Sequence, residues 1–227
     1  MNKSLVGPLW HAATERLKAA DRIHKYRLER RRGLDDLGNE SVRRIAIELD
    51  YIKDDQDYVI VDNVLPPSFD MSMIAVLGEV MPITFTNSEP PYTRTMQAID
   101  NPHAYLSDVF SALKHVFSGC VHIVVKLLKS VPGDPEQLTH VDFDTILEPS
   151  FMKLSEFNYS AIISLEDNTR LLVGDNKKSI SIPIHSMILF RGNMPHAGAK
   201  YSTYNTRIFI SASCEKFPVT DDVFIVR

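Results

Sequence analysis

The second half of the chain alternates between short apolar runs and turn-forming residues. After Gly119, six runs of four to eight residues are rich in Val, Ile, Leu and Phe: 121–128, 159–165, 170–173, 179–184, 187–191 and 207–213. A further strand is expected over 137–143, behind the turn Pro132-Gly133-Asp134-Pro135. Short strands with turns between them are typical of an antiparallel β-domain.

The first half shows helical periodicity instead. Apolar residues recur every three or four positions from Val42 to Ile52, and Asn39 is placed to cap this helix. A second helix is predicted over 101–117, with Pro102 in its first turn and Gly119 as its C-cap. The composition also favours helix over 12–32.

The stretch between these two helices mixes several patterns. Residues 58–65 and 83–86 are predicted strands, and 68–80 is a predicted short helix. Residues 88–97 are a predicted loop, which could overhang a site with Tyr92 and Arg94.

The totals describe a globular chain without a strong charge bias. It has 227 residues, 44% of them hydrophobic, a net charge of -4 and a pI near 6.1, so nothing draws the whole molecule to nucleic acid or to an anionic membrane. Residues 15–32 nevertheless carry eight Lys or Arg against three acids. They are either a solvated helix face or a nuclear signal or polyanion contact.

The N-terminus predicts an intracellular protein, cytoplasmic or nuclear. Its apolar run, 5–10, is short and contains Pro8, which fits neither a signal peptide nor a transmembrane segment. Cys120 and Cys214 lie far apart without a CxxC spacing, so we expect two buried thiols and neither a disulfide framework nor a zinc finger.

A candidate metal site begins at His140-Val141-Asp142. Residues two apart on a strand project to the same side, which places an imidazole and a carboxylate together. The composition predicts about one such His-x-acid pair by chance, and one is present, so the pair is weak evidence by itself. His196 adds weight, because it follows a turn after an apolar strand, 54 positions beyond Asp142.

Two imidazoles and one carboxylate on one face of iron(II) leave the opposite face open for a bidentate cosubstrate and O2. A keto acid bound there would present a distal carboxylate, which an Arg can hold bidentately. Arg207, eleven residues after His196 and at the start of the next strand, is placed for this role.

These motifs resemble iron(II)/2-oxoglutarate-dependent dioxygenases, especially the prolyl-hydroxylase-like and phytanoyl-hydroxylase-like branches. The resemblance rests on Leu127-Leu128-Lys129, Pro132-Gly133, His140 to Asp144, and His196-Ala197-Gly198 through Arg207, and covers about 121–213. It implies that His140, Asp142 and His196 bind Fe(II) and that Arg207 binds 2-oxoglutarate. Asn205 and Thr139 are further candidates for the cosubstrate pocket.

Each of these residues also has a plainer interpretation. His140 and Asp142 could be a hydrogen-bonded surface pair, His196 a loop histidine, and Arg207 a surface ion-pair partner. The remaining histidines of the domain and of the second helix lack the order of a triad and are interpreted as structural: His103, His115, His122 and His185.

The resemblance implies a double-stranded β-helix, which is a cupin-like jelly roll, mainly β with N-terminal helices packed on one sheet. We expect a helical extension (1–57), an α/β support region (58–120) and a catalytic core (121–227). The expected activity is hydroxylation or oxidative demethylation of a small-molecule or protein-side-chain substrate, with release of succinate and CO2. Two alternatives stay open: a catalytically silent jelly-roll binding module, and a nucleic-acid-directed oxygenase that uses the basic stretch 15–32.

Overall fold

The computed structural model describes residues 37–50, 57–83, 94–117, 120–143, 158–214 and 224–225. In this part of the chain there are two α-helices, α1 (Glu40–Asp50) and α2 (His103–Val116). Twelve strands run in chain order through the same part: β1 (Tyr58–Val61), β2 (Val76–Pro82), β3 (Thr95–Ile99), β4 (Cys120–Ser130), β5 (His140–Val141), β6 (Tyr159–Ser164), β7 (Arg170–Val173), β8 (Lys178–Ser181), β9 (Met187–Arg191), β10 (His196–Gly198), β11 (Asn205–Cys214) and β12 (Phe224–Ile225).

The strands form two antiparallel sheets. The larger has the order β1-β9-β6-β11-β4-β3-β2, and the smaller has the order β12-β5-β10-β7-β8. Side chains from the two sheets, such as Ile162 and Ile188 from the larger and Leu171 and Ile180 from the smaller, pack into one cluster between them. This is the jelly roll that the sequence predicted.

The two helices cover the outer face of the larger sheet. Ile45 of α1 and Leu113 of α2 are buried in one core with Leu189 and Ile208 of the sheet. The predicted cap of α1 is present, because Oδ1 of Asn39 accepts from the backbone N–H groups of Ser41 (2.9 Å) and Val42 (3.2 Å). The helices therefore bury the described residues of the apolar stripes that predicted them.

The stretch after β1 differs from its prediction. Residues 68–80 form a short 3-10 turn at Met71–Met73, capped by Asp70, and then enter β2. The register of β2 with β3 shifts between Leu77 and Met81, where Gly78 has a φ of 72°. Pairing with β3, of which residues 95–97 were expected to be loop, decides this conformation. A strand partner from another part of the chain cannot be recognised from the local sequence pattern.

The segment before the candidate metal site is also less regular than predicted. Only His140–Val141 of the expected strand 137–143 is β-structure. The backbone upstream is bonded to the end of β10 and the segment after it. Gln137 N–H donates to the Gly198 carbonyl (3.0 Å), and Gly133 N–H donates to the Tyr201 carbonyl (3.2 Å).

Several sequence predictions fall wholly or partly outside the described residues. They are the helix over 12–32 with its basic stretch, most of the strand 83–86, the part of the loop 88–97 that contains Tyr92, and the C-cap at Gly119. Cys120 and Cys214, distant in sequence, are partners in the register of β4 with β11. Neither described helix is long and apolar enough to cross a membrane.

Candidate metal centre

The two histidines predicted as ligands are cross-strand neighbours in the smaller sheet. Strand β10 begins at His196, which pairs with His140 at the start of β5. Both residues are buried, their ring centroids lie 4.3 Å apart, and the Phe190 ring packs 4.7 Å from that of His196. Two chain segments 56 residues apart in sequence are thus joined at one point.

Asp142 completes a cluster with these histidines. Its Oδ1 lies 3.9 Å from Nε2 of His140 and 3.6 Å from Nε2 of His196. The three donor atoms all lie within 4.8 Å of one another, and no other such group of three was found among the described residues. Donors that share one ion at about 2.0–2.2 Å lie within about 4.4 Å of one another, so small side-chain shifts would bring all three to a common metal.

Both imidazoles are oriented by backbone carbonyls. Nδ1 of His140 lies 2.8 Å from the Leu138 oxygen, and Nδ1 of His196 lies 2.9 Å from the Met194 oxygen. A carbonyl only accepts, so Nδ1 carries the hydrogen in each ring, and in the neutral imidazole Nε2 keeps its lone pair. The lone pairs face Asp142, which is the arrangement that a metal ion requires.

Burial keeps His140 neutral. It lowers the pKa of His140 to about 4. The electrostatic interactions with His196 and Arg94 act in the same direction, and those with Asp142 and the Leu138 carbonyl act in the opposite direction. A neutral imidazole is the ligand form, so this environment favours coordination at neutral pH.

The carboxylate of Asp142 is held from two sides. Ser160, a buried residue of β6, donates from Oγ to Oδ2 over 2.5 Å, which leaves Oδ1 facing the histidines. The carbonyl of Gly192 accepts from the backbone N–H groups of Asp142 (2.9 Å) and Phe143 (3.1 Å). A Cβ at position 192 would come within 2.1 Å of the Phe143 ring, so this approach requires glycine.

Arg207 is buried in the larger sheet. Its Nη1 donates to Oγ of Ser130 and to Oδ1 of Asn205, each over 3.0 Å, and its guanidinium carbon lies 5.6 Å from the centre of the Tyr201 ring. Burial lowers the pKa of Arg207, and no carboxylate of the described residues is among the causes of its shift. A buried cation that no described carboxylate neutralises is suited to an anionic ligand.

The two further pocket candidates are placed differently. Asn205 is fully buried, and while its Oδ1 accepts from Arg207, its Nδ2 donates to Asn168 (2.8 Å) and Thr169 (2.9 Å). Its amide therefore orients Arg207. Thr139 is half-buried directly before β5.

The other histidines lie apart from this cluster. His122 is exposed on β4, and His115 is exposed on α2. The ring of His103 packs edge-on against Phe110, and that of His185 against Phe69. Asp144, the last residue of the motif, lies outside the described residues.

Four residues around the cluster were not found by sequence analysis: Ser130, Ser160, Gly192 and Tyr201. Ser130, Ser160 and Gly192 each act through a partner far away in sequence, as Ser130 does through Arg207. Tyr201 lies against Arg207, six residues further along the chain. A serine in or beside an apolar strand has no sequence pattern that predicts its contacts, which become visible only in the folded structure.

The donor set fits a first-row divalent metal. Two neutral imidazole nitrogens and one carboxylate oxygen, oriented by carbonyls and by Ser160, match the facial ligand set of non-haem Fe(II) sites. Bound there, iron would be held on one side only, so exchangeable positions would remain.

Comparison with one solved structure supports the fold, and two further structures are similar over smaller parts of the chain. The chain is similar to a prolyl hydroxylase from Trichoplax adhaerens in complex with a hypoxia inducible factor peptide fragment, with a TM-score of 0.52, 13% identity, and coverage of 77% of this chain and 90% of that one. A prolyl-4-hydroxylase from Pseudomonas putida gives a TM-score of 0.40 at 15% identity, covering 56% and 76%. An RmlC-like cupin from Desulfovibrio desulfuricans gives 0.29 at 17%, covering 41% and 77%. Neither protein-family models nor curated proteins match the chain.

Proposed function

We propose that this protein is an Fe(II)- and 2-oxoglutarate-dependent oxygenase. The observation that carries the proposal is the cluster of His140, Asp142 and His196, in which both Nε2 atoms and one carboxylate oxygen converge. In the proposed reaction, 2-oxoglutarate, O2 and a substrate C–H bond give succinate, CO2 and a hydroxylated product. If the hydroxylated carbon is an N-methyl group, it leaves as formaldehyde and the product is demethylated.

The residues of the chain have separate roles in this proposal. His140, Asp142 and His196 hold the iron, which supplies the oxidative chemistry when bound. Arg207 holds the distal carboxylate of 2-oxoglutarate, because its charge is buried and no described carboxylate competes for it. Thr139 directly precedes the first ligand, His140, and lines the same proposed pocket.

The proposed prime substrate is a protein side chain or a small molecule. The similar structure from Trichoplax was solved with a peptide, and peptides are therefore the first substrates to test. A nucleic-acid substrate would use the basic stretch 15–32, which lies outside the described residues. Salt-dependent binding to DNA or RNA that is lost when Arg30, Arg31 and Arg32 are replaced would favour that alternative.

The test measures metal binding, 2-oxoglutarate binding and succinate release separately. We expect His140→Ala to abolish Fe(II) binding. Arg207→Ala should keep the metal and weaken 2-oxoglutarate binding at least tenfold, since a charge-assisted contact contributes about 1.5–3 kcal/mol. Arg170→Ala is the control, because it removes an arginine of the same domain that is exposed and donates to the backbone carbonyl of Lys200.

Each result has a distinct meaning. Succinate release that requires both Fe(II) and 2-oxoglutarate would support an oxygenase. Metal and 2-oxoglutarate binding without turnover across substrate panels would support the binding-module alternative. A protein that binds neither would overturn the proposal.

A further inference from the structure

Arg94 is a fully buried arginine that bridges the two segments carrying the histidines. It lies immediately before β3 in the larger sheet and is 0% exposed. Its Nη2 donates to the carbonyls of Pro135 (2.8 Å) and Ala199 (2.7 Å). Pro135 belongs to the segment that leads into His140, and Ala199 directly follows the strand that begins at His196.

Gln137 reinforces this bridge. Its backbone N–H donates to the carbonyl of Gly198 (3.0 Å), and its Oε1 accepts from the N–H of Gly198 (2.8 Å). A Cβ at position 198 would come within 2.2 Å of Oε1 of Gln137 and 2.3 Å of Nη1 of Arg94. The bare backbone of Gly198 is thus enclosed by the two side chains.

The metal cluster needs such a bridge because the sheet around it is small. Strand β5 has two residues and meets β10 in a single register pair, His196 with His140. So short a ladder fixes the spacing of the two rings weakly. The Nη2 group of Arg94 donates to one carbonyl on each side and so restrains this spacing. A lysine ammonium cannot reproduce the planar geometry of these two N–H groups.

We propose that Arg94 is a positioning residue, which holds the His140 and His196 segments at the spacing required to share one metal ion. This inference rests on the proposed function for its purpose, but the bridge itself can be tested without metal. It assigns a role at the metal centre to a residue outside both strands that carry ligands.

The experiment compares Arg94→Gln and Arg94→Lys with Arg170→Gln in the full chain. Arg170 is the matched control, because its Nη2 donates to the carbonyl of Lys200 (3.1 Å), next to Ala199, from an exposed position. Three quantities are measured: Mn(II) affinity by electron paramagnetic resonance, hydrogen exchange at the Gly198 amide without metal, and the NOE between the imidazole protons of His140 and His196.

We expect both Arg94 variants to weaken Mn(II) binding about 10–100-fold, as loss of a supporting contact typically does. The same variants should speed exchange at Gly198 and weaken the NOE between the rings, while Arg170→Gln changes none of these. A folded Arg94→Gln protein with wild-type Mn(II) affinity, exchange and NOE would overturn the proposal.

The proposal also remains testable if the wild-type protein binds no metal or if Arg94→Gln does not fold. If the wild-type protein binds neither Mn(II) nor Fe(II), the proposed function fails, and the metal-free exchange and NOE measurements alone decide whether Arg94 sets the spacing. If Arg94→Gln does not fold, Arg94→Lys and Gln137→Met decide. Wild-type values in both would overturn the proposal, and weakened Mn(II) binding or a weakened NOE would support it.

Discussion

Ser160 donates a hydrogen bond to Oδ2 of Asp142, and this contact directs the other carboxylate oxygen toward the two histidines. The bond joins β6 of the larger sheet to the residue after β5 of the smaller one. The position of the Asp142 carboxylate therefore depends on the packing of both sheets. The metal affinity of the site should then depend on the Ser160 hydroxyl, which is hydrogen-bonded to the carboxylate.

Ser160→Ala should weaken Fe(II) or Mn(II) binding about 10–100-fold, because the free carboxylate oxygen can then rotate away from the shared site. The affinity is measured by metal titration. Ser164→Ala is the control, since Ser164 is buried on the same strand and donates to the carbonyl of Glu166 instead. Equal losses in the two variants would contradict a specific role for Ser160.

Asn205→Asp should weaken 2-oxoglutarate binding while the metal affinity stays unchanged. The new carboxylate would lie against Nη1 of Arg207, where the asparagine oxygen now lies at 3.0 Å. It would neutralise the charge that, in the proposed function, holds the carboxylate of 2-oxoglutarate. Calorimetry in the presence of Mn(II) measures the effect. Asn168 accepts from Asn205, so Asn168→Asp places the same charge on the far side of Asn205 from Arg207 and should have a smaller effect. A larger loss of 2-oxoglutarate affinity in Asn168→Asp than in Asn205→Asp would contradict the role assigned to Arg207.

The metal-free protein should lose stability as the pH falls from about 6.5 to about 4. The folded pKa of His140 is lowered to about 4 from 6.5, so between these values the unfolded chain binds more protons. The free energy of unfolding therefore decreases with falling pH in this window, by at most about 1.4 kcal/mol per pH unit from this group.

Denaturant unfolding at several pH values in a chelator tests this dependence. His140→Gln should remove part of the slope between pH 4 and 6.5, where the two pKa values lie. His115→Gln, at an exposed position on α2, should leave it unchanged. A wild-type slope in the His140 variant would show that burial of this imidazole does not control acid stability.

Gly192→Ala should destabilise the protein by about 1–3 kcal/mol, because the added methyl group overlaps a buried ring. The Cβ would come 2.1 Å from Cδ2 of Phe143. Since the Gly192 carbonyl also holds the backbone of Asp142, metal affinity should fall with stability. Gly38→Ala, where no atom lies within 4 Å of the added Cβ, is the control for both measurements.

The sequence predicted those parts of the fold that depend on local pattern. Strand β9 and the cap at Asn39 follow from residues adjacent in sequence, and their positions agree with the prediction. Strand β2 does not, because its conformation is decided by pairing with β3. Periodicity reports which face of a segment is apolar, but it does not report which segment covers that face.

The same division applies to the candidate site. The His-x-Asp spacing, the order of the segments and the resemblance together selected His140, Asp142 and His196, which the structure brings together. The contacts that orient them were not predictable. Ser160 lies 18 residues from Asp142. Arg94, which was expected in a loop that could overhang a site, is instead fully buried and reaches carbonyls 41 and 105 residues away. Such contacts exist only after two sheets have packed, so residue type alone does not reveal them.

The single register pair between His196 and His140 has a consequence for the whole molecule. An ion bound to both rings would be a reversible crosslink that closes a loop of more than fifty residues, much as a disulfide would. At a free metal concentration 100 times the dissociation constant, such a crosslink stabilises the folded form by about 2.7 kcal/mol. The resistance of the protein to proteolysis would then increase with the concentration of free iron.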